Sequence, residues 1–214
     1  MGKIKLLLAV RKSILDQCTL ERIAHEEDME IVGYAGNLKE TLELLKKHKP
    51  DILLVGSKKV NNDQIFERVI ALNPGVKFII ISDRKEEDNE ELFRSIESGA
   101  QGYISKNITA EKLLNNIRLV NEGGCVLDPE LVSVFLDKFR DLDKTKKKAP
   151  GLSEEEKQMM KLVIKGMSER DIARRMGFSR RIARTFIRGI MKKLRVENLT
   201  QAVIVVMKRR LVEV

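Results

Sequence analysis

Residues 168 to 196 read SERDIARRMGFSRRIARTFIRGIMKKLRV, two amphipathic runs separated by Met176-Gly177-Phe178. Ser168 and Ser179 stand where N-caps belong, because a serine oxygen accepts one of the backbone N–H groups left without a partner at a helix start. The pattern is helix, tight turn, helix. In the second helix, at 100° per residue, Ile182, Ala183, Phe186, Ile187, Ile190 and Leu194 gather on one side as the predicted buried face. Opposite them Arg181, Arg184, Arg188, Lys192 and Arg195 form a cationic stripe about 20 Å long. The helix itself places no carboxylate on that stripe. Surface helices ordinarily interleave charges of both signs, so five like charges in a row call for a polyanion.

Charge across the whole chain supports this. The net charge is +9 in 214 residues. Residues 151–214 hold 16 Lys and Arg against 7 Asp and Glu, and the first 150 residues hold 25 of each. All the excess positive charge therefore lies in the C-terminal third. Double-stranded DNA is the expected partner, ahead of an anionic membrane surface. No apolar run is long enough to span a bilayer and there is no signal-peptide pattern, so a cytoplasmic protein that does not engage the membrane is expected. Cys18 and Cys125 are isolated and lack metal-ligand spacing, which fits free thiols in a reducing compartment.

Around the helix pair, LSEEEKQMMKLVIKGMSERDIARRMGFS (152–179) and KKLRVENLTQA (192–202) resemble the LuxR-type helix-turn-helix of NarL/FixJ-family response regulators. The landmarks are Leu152-Ser153, Gly166-Met167-Ser168, Asp171-Ile172-Ala173 and Lys193-Leu194-Arg195-Val196. Where the family commonly has Thr-Val-Lys-x-His, this chain has Ile182-Ala183-Arg184-Thr185-Phe186. The resemblance implies that Arg184, Thr185 and Arg188 read base edges, while Ser179, Arg180, Arg181, Lys192 and Lys193 grip phosphates. It also implies that the last helix, through Ala202, Val203 and Val206, pairs two such domains in a homodimer on two half-sites about one helical turn apart.

Upstream, apolar strand-like runs alternate with amphipathic helices. Strands are expected at Lys3–Val10, Glu30–Ala35, Asp51–Val55, Val76–Ile81 and Gly102–Ile104. Helices are expected at Ser13–His25, Leu38–His48, Asn62–Leu72, Glu86–Ser98 and Thr109–Asn121. Five strands alternating with five helices predict an α/β fold, a flavodoxin-like doubly wound five-stranded parallel sheet, followed by a small all-α four-helix helix-turn-helix domain. The expected domains are residues 1–122 and 151–214. Between them, 123–150 is read as a connector carrying a short helix from Asp128 to about Phe139.

The first domain resembles a bacterial receiver, on Pro50-Asp51-Ile52-Leu53-Leu54, on Ser82, and on Gly99-Ala100-Gln101-Gly102-Tyr103-Ile104-Ser105-Lys106. Receivers of this kind carry a phosphoacceptor aspartate at the end of the third strand and an acidic pair that holds Mg²⁺ at the end of the first. The corresponding residues here are Gly56, and Val10 with Arg11, so the resemblance implies a degenerate pocket. Ser82, Tyr103 and Lys106 are retained, either as a switch answering another signal or simply as a cap, a packed ring and a space-filling cation. Asp51 lies about 16 Å from the strand tip and is excluded on reach. Asp83 lacks acidic partners. No strand tip carries a nucleophile with its base, so neither an enzyme nor a resident cofactor is expected.

The sequence thus supports a DNA-binding transcription regulator that operates without phosphorylation. The competing function is a protein-interaction module whose silent receiver docks another protein and whose basic domain is only a weak DNA tether.

Overall fold

The computed structural model describes residues 2–10, 14–56, 64–82, 96, 98–128 and 151–212. Two compact units make up the chain, Met1–Asn121 and Glu122–Val214. The expected helix at 86–98 and the connector helix from Asp128 to Phe139 fall almost wholly outside the described residues.

The strands of the first unit are β1 (Ile4–Ala9), β2 (Met29–Tyr34), β3 (Ile52–Gly56), β4 (Lys77–Ser82) and β5 (Gly102–Ser105). In β1, β3 and β4 every residue except Lys5 and Lys77 is buried, as near-continuous apolar runs require when both faces of a parallel sheet are covered. The described pairings are all parallel, with Leu6 opposite Ile52, Leu53 opposite Phe78, and Ile80 opposite Tyr103. A register shift between Leu6 and Leu7 accommodates β2. The sheet order is β2-β1-β3-β4-β5-β6, in which β6 is the two-residue Val126–Leu127, one strand more than the apolar runs indicated.

Helices α1 (Gln17–His25), α2 (Leu38–His48), α3 (Gln64–Leu72) and α4 (Ala110–Asn121) belong to this unit. Their starts are set by capping. Asp16 accepts the Thr19 N–H at 2.7 Å, and Asn37 accepts that of Glu40 at 2.9 Å while the Glu40 carboxylate turns back to the Gly36 N–H. The Asp16 cap moves the start of α1 four residues beyond the expected Ser13. Ile14 and Leu15 are released from the helix and buried, with Ile14 reaching Gly56 at the end of β3.

Arg118 on α4 forms a fork with Asp28, at 2.7 and 2.8 Å, and also bonds Glu26, tying α4 to the turn between α1 and β2. The Arg118 hydrogen bonds hold the Asp28 carboxyl below its ordinary range. A carboxylate whose pKa is depressed by folding stabilises the fold above its unfolded value and loses that contribution as pH falls through the folded one. The first unit is therefore expected to weaken progressively as the pH drops below about 4. The Arg118→Met variant is expected to show a shallower dependence when urea midpoints are compared between pH 6 and pH 3.

The second unit contains α5 (Glu154–Ile164), α6 (Glu169–Met176), α7 (Arg180–Leu194) and α8 (Leu199–Lys208). A reciprocal capping box between Ser153 and Glu156 opens α5. Their common core is Met159, Met160, Val163, Ile172, Ala173, Ala183, Ile187, Ile190, Leu194, Ala202, Val203 and Val206. No described helix is long and apolar enough to cross a membrane.

Candidate nucleic-acid interface and the receiver pocket

The turn between α6 and α7 forms as its residue types dictate. Ser168 and Ser179 accept the N–H groups of Asp171 and Ile182, and Gly177 closes α6 at φ +70°, where a side chain would be strained. Behind the turn the Phe178 and Phe186 rings stack at 5.2 Å. Phe186, at the position where the family commonly has histidine, is half-buried and braces the turn against α7.

On α7, Ala183, Ile187, Ile190 and Leu194 are buried, whereas Arg181, Arg184, Thr185, Arg188, Lys192 and Arg195 are exposed. Ile182 departs from the expected buried face, being 46% exposed. It lies roughly 110° around the helix from the middle of the buried arc, too far to reach the core.

The cations are not all in one state. Arg184 donates through Nε and Nη2 to a single oxygen of Glu169, at 3.1 and 2.8 Å, and Arg180 stands 3.9 Å from the same oxygen. The Glu169 side chain is only 12% exposed. It therefore fixes the Arg184 fork from below and raises the guanidinium pKa further above its ordinary value. Lys193, expected among the phosphate-gripping residues, bonds Glu156 at 2.7 Å. Burial alone would raise the Glu156 carboxyl, but Lys193 and the Ser153 N–H more than offset it. The Thr185 hydroxyl donates to the Arg181 carbonyl at 3.0 Å, leaving its lone pairs and methyl outward. Sequence inspection did not single out Glu169. An acid in the first turn of α6 reads as a favourable helix-dipole residue, and the partner 15 residues away becomes visible only once the helices cross.

The pairing surface expected on α8 needs correction. Ala202, Val203 and Val206 are at 0%, 4% and 0% exposure inside their own unit, because the side of α8 that carries them closes the core over α5 and α7. They are not available to a second domain. Leu199, Gln201, Val205, Met207, Lys208 and Arg209 are the partly exposed residues of that stretch.

In the first unit, β1, β3, β4 and β5 bring Val10, Gly56, Ser82 and Lys106 to the C-terminal end of the sheet, with the Lys106 N–H donating to the Ser82 carbonyl at 2.9 Å. Arg11 lies outside the described residues. Gly56 is buried, and a Cβ built on it would stand 2.6 Å from Ile14 Cδ1 and within 3.9 Å of Val10. The place from which an aspartate would project is thus filled by the isoleucine that the Asp16 cap releases from α1. Tyr103 is fully buried in β5, Ser82 is nearly so, and the Lys106 side chain is exposed. Among the described residues, no three His, Cys, Asp or Glu side chains gather as a metal site would need. Asp51 precedes β3 and accepts the Lys5 N–H at 2.9 Å, at the opposite end of that strand from Gly56.

Comparison with known proteins places both units. Residues 15–118 match the response regulator receiver domain, and residues 150–206 match the bacterial regulatory proteins of the luxR family. The oxygen regulatory protein NreC of Staphylococcus carnosus is 26% identical over 88% of this chain and 89% of its own length. The response regulator protein VraR of Staphylococcus epidermidis is 27% identical over 96% of this chain and all of its own. A solved structure of two RcsB dimers bound to two parallel DNAs shares the fold, with a TM-score of 0.51 and 17% identity over 97% of this chain and 99% of that one. The sheet order, the capped helix-turn-helix and matches that run through both units lead to one assignment: the chain belongs to the NarL/FixJ family of response regulators.

Proposed function

We propose that this DNA-binding transcription regulator works without aspartyl phosphorylation. The observation that carries the reading is at Gly56, where the phosphoacceptor carboxylate is absent and Ile14 occupies the volume it would need. Val10 at the tip of β1 adds an apolar wall where a hard cation would require carboxylate oxygens. Full-length protein incubated with acetyl phosphate and Mg²⁺ is expected to gain no 80 Da adduct by intact mass, a number set by the phosphoryl group rather than by the protein. An acid-stable, hydroxylamine-labile adduct on any aspartate contradicts the proposal.

At the DNA, α7 lies in the major groove with Arg184, Thr185 and Arg188 reading bases and with Ser179, Arg180, Arg181 and Lys192 on phosphates. This is supported by the exposure of all seven on one unit whose apolar side is committed to the core. Thr185, whose hydroxyl proton is already used, acts as an acceptor or through its methyl. Lys193, paired with Glu156, contributes to phosphate binding only by exchanging that partner. Binding as a homodimer is supported by the RcsB structure, whose dimers are bound to DNA.

Glu169 acts as the positioning residue for Arg184. Glu169→Gln is expected to lower the cognate-to-random affinity ratio severalfold, about 1 kcal/mol for a partly exposed pair. Removing its charge should at the same time strengthen binding to random DNA. Fluorescence anisotropy on both duplexes checks the two opposite changes.

A further inference from the structure

Among the described residues, Ile182 is the one large hydrophobic side chain of the second unit that stands exposed, at 46%. It packs into no core, and a β-branched residue gains nothing in helix propensity there. Yet it occupies the first turn of α7, where helices of this kind bring side chains to base edges. Arg181 and Thr185, both exposed, flank it. Seven residues on, two turns along the same side, Gly189 is exposed and a Cβ there would meet nothing within 4 Å. A glycine inside a helix is unfavourable relative to alanine. The internal packing does not require it, and its absent side chain lets the groove approach the backbone between Ile182 and Lys192.

An apolar side chain facing the major groove has one complementary partner there. Of the four bases, thymine alone presents an apolar group on that edge, its 5-methyl, and the others offer only donors and acceptors. We propose that Ile182 is a specificity-determining residue that takes the 5-methyl of a thymine in each half-site. The inference rests on the DNA-binding reading of α7 and deepens it. It assigns a base type to a position at which the family commonly has threonine, a residue suited to a polar contact.

The test begins with duplexes enriched from a random pool by the full-length protein. In the enriched site each thymine is replaced in turn by deoxyuridine, which lacks only the methyl. Wild-type protein is expected to lose about fourfold in affinity at a single position per half-site, the effect of one buried methyl, and to be indifferent at the others. Ile182→Ala is expected to bind the thymine and uracil duplexes equally, and Ile182→Val to keep part of the discrimination. Because Ile182 lies outside the core, both variants are expected to melt with the wild type. Indifference of the wild type to uracil at every position, or unchanged discrimination in Ile182→Ala, overturns the assignment and leaves the DNA-binding reading standing. Failure to enrich any sequence overturns that reading, and the assignment with it.

Discussion

Arg188→Ala is expected to lose discrimination rather than affinity in general. Binding to the enriched site should fall by roughly 5- to 150-fold, the about 1–3 kcal/mol that a good bidentate arginine–guanine contact contributes, while binding to random duplex changes little. Lys192→Ala, one turn further along the same exposed face, should weaken cognate and random DNA by similar factors. It should also reduce the slope of log affinity against log salt by about one unit, because one phosphate contact and its released counterion are lost. The contrast follows from geometry. Arg188 lies near the centre of the outward side of α7 and has a planar fork, whereas Lys192 lies near its C-terminal end and offers a point charge. Titrations of both variants on both duplexes over a salt series decide the matter. Equal losses on the two duplexes for both variants would remove the division of roles.

Restoring the aspartate is not expected to restore a receiver that accepts phosphate. Gly56→Asp is expected to destabilise the first unit by about 2–4 kcal/mol, since the new side chain must displace Ile14 and then holds a carboxylate against Ile14 and Val10. It should remain unphosphorylated by acetyl phosphate, because Val10 and Arg11 stand in the sequence where the acids that hold a metal would be. Gly56→Ala isolates the steric part, and only the far end of Ile14 has to move for it, so a cost of about 1 kcal/mol is expected. Adding Ile14→Ala to Gly56→Asp should recover part of the loss, a coupling that urea unfolding of wild type, Gly56→Asp, Ile14→Ala and the double variant measures directly. If Gly56→Asp were as stable as wild type and accepted phosphate, the pocket would be an intact receiver lacking one atom group, and its apolar filling would have no functional meaning.

The sheet and the helix-turn-helix were legible because their signals are local. Apolar runs such as Ile52-Leu53-Leu54-Val55 mark strands covered on both sides, and helix ends are fixed locally, by the side-chain oxygens of Ser168 and Ser179 and by the backbone of Gly177. What stayed hidden depended on packing. Ile182 sits at the margin of the helical arc, where 100° per residue does not tell a core position from an exposed one. Ala202, Val203 and Val206 are apolar whether they close a core or meet a partner, and only the placement of α8 distinguishes the two. The Glu169–Arg184 and Glu156–Lys193 pairs join residues 15 and 37 positions apart. The Val126–Leu127 strand is too short to show a period. At the receiver pocket, sequence alone places glycine where the family has aspartate. That Ile14 fills the space follows from the Asp16 cap, which starts the helix one turn later than the sequence pattern indicated.

Site-specific DNA binding by this chain is expected not to pass through a phosphorylated receiver. The most direct measurement is a titration of the enriched duplex with full-length protein, with and without acetyl phosphate and Mg²⁺, at several salt concentrations. Superimposable curves are expected at each salt, with the affinity falling steeply as salt rises. A tighter curve in the presence of the phosphodonor would contradict this and would require an acceptor other than residue 56.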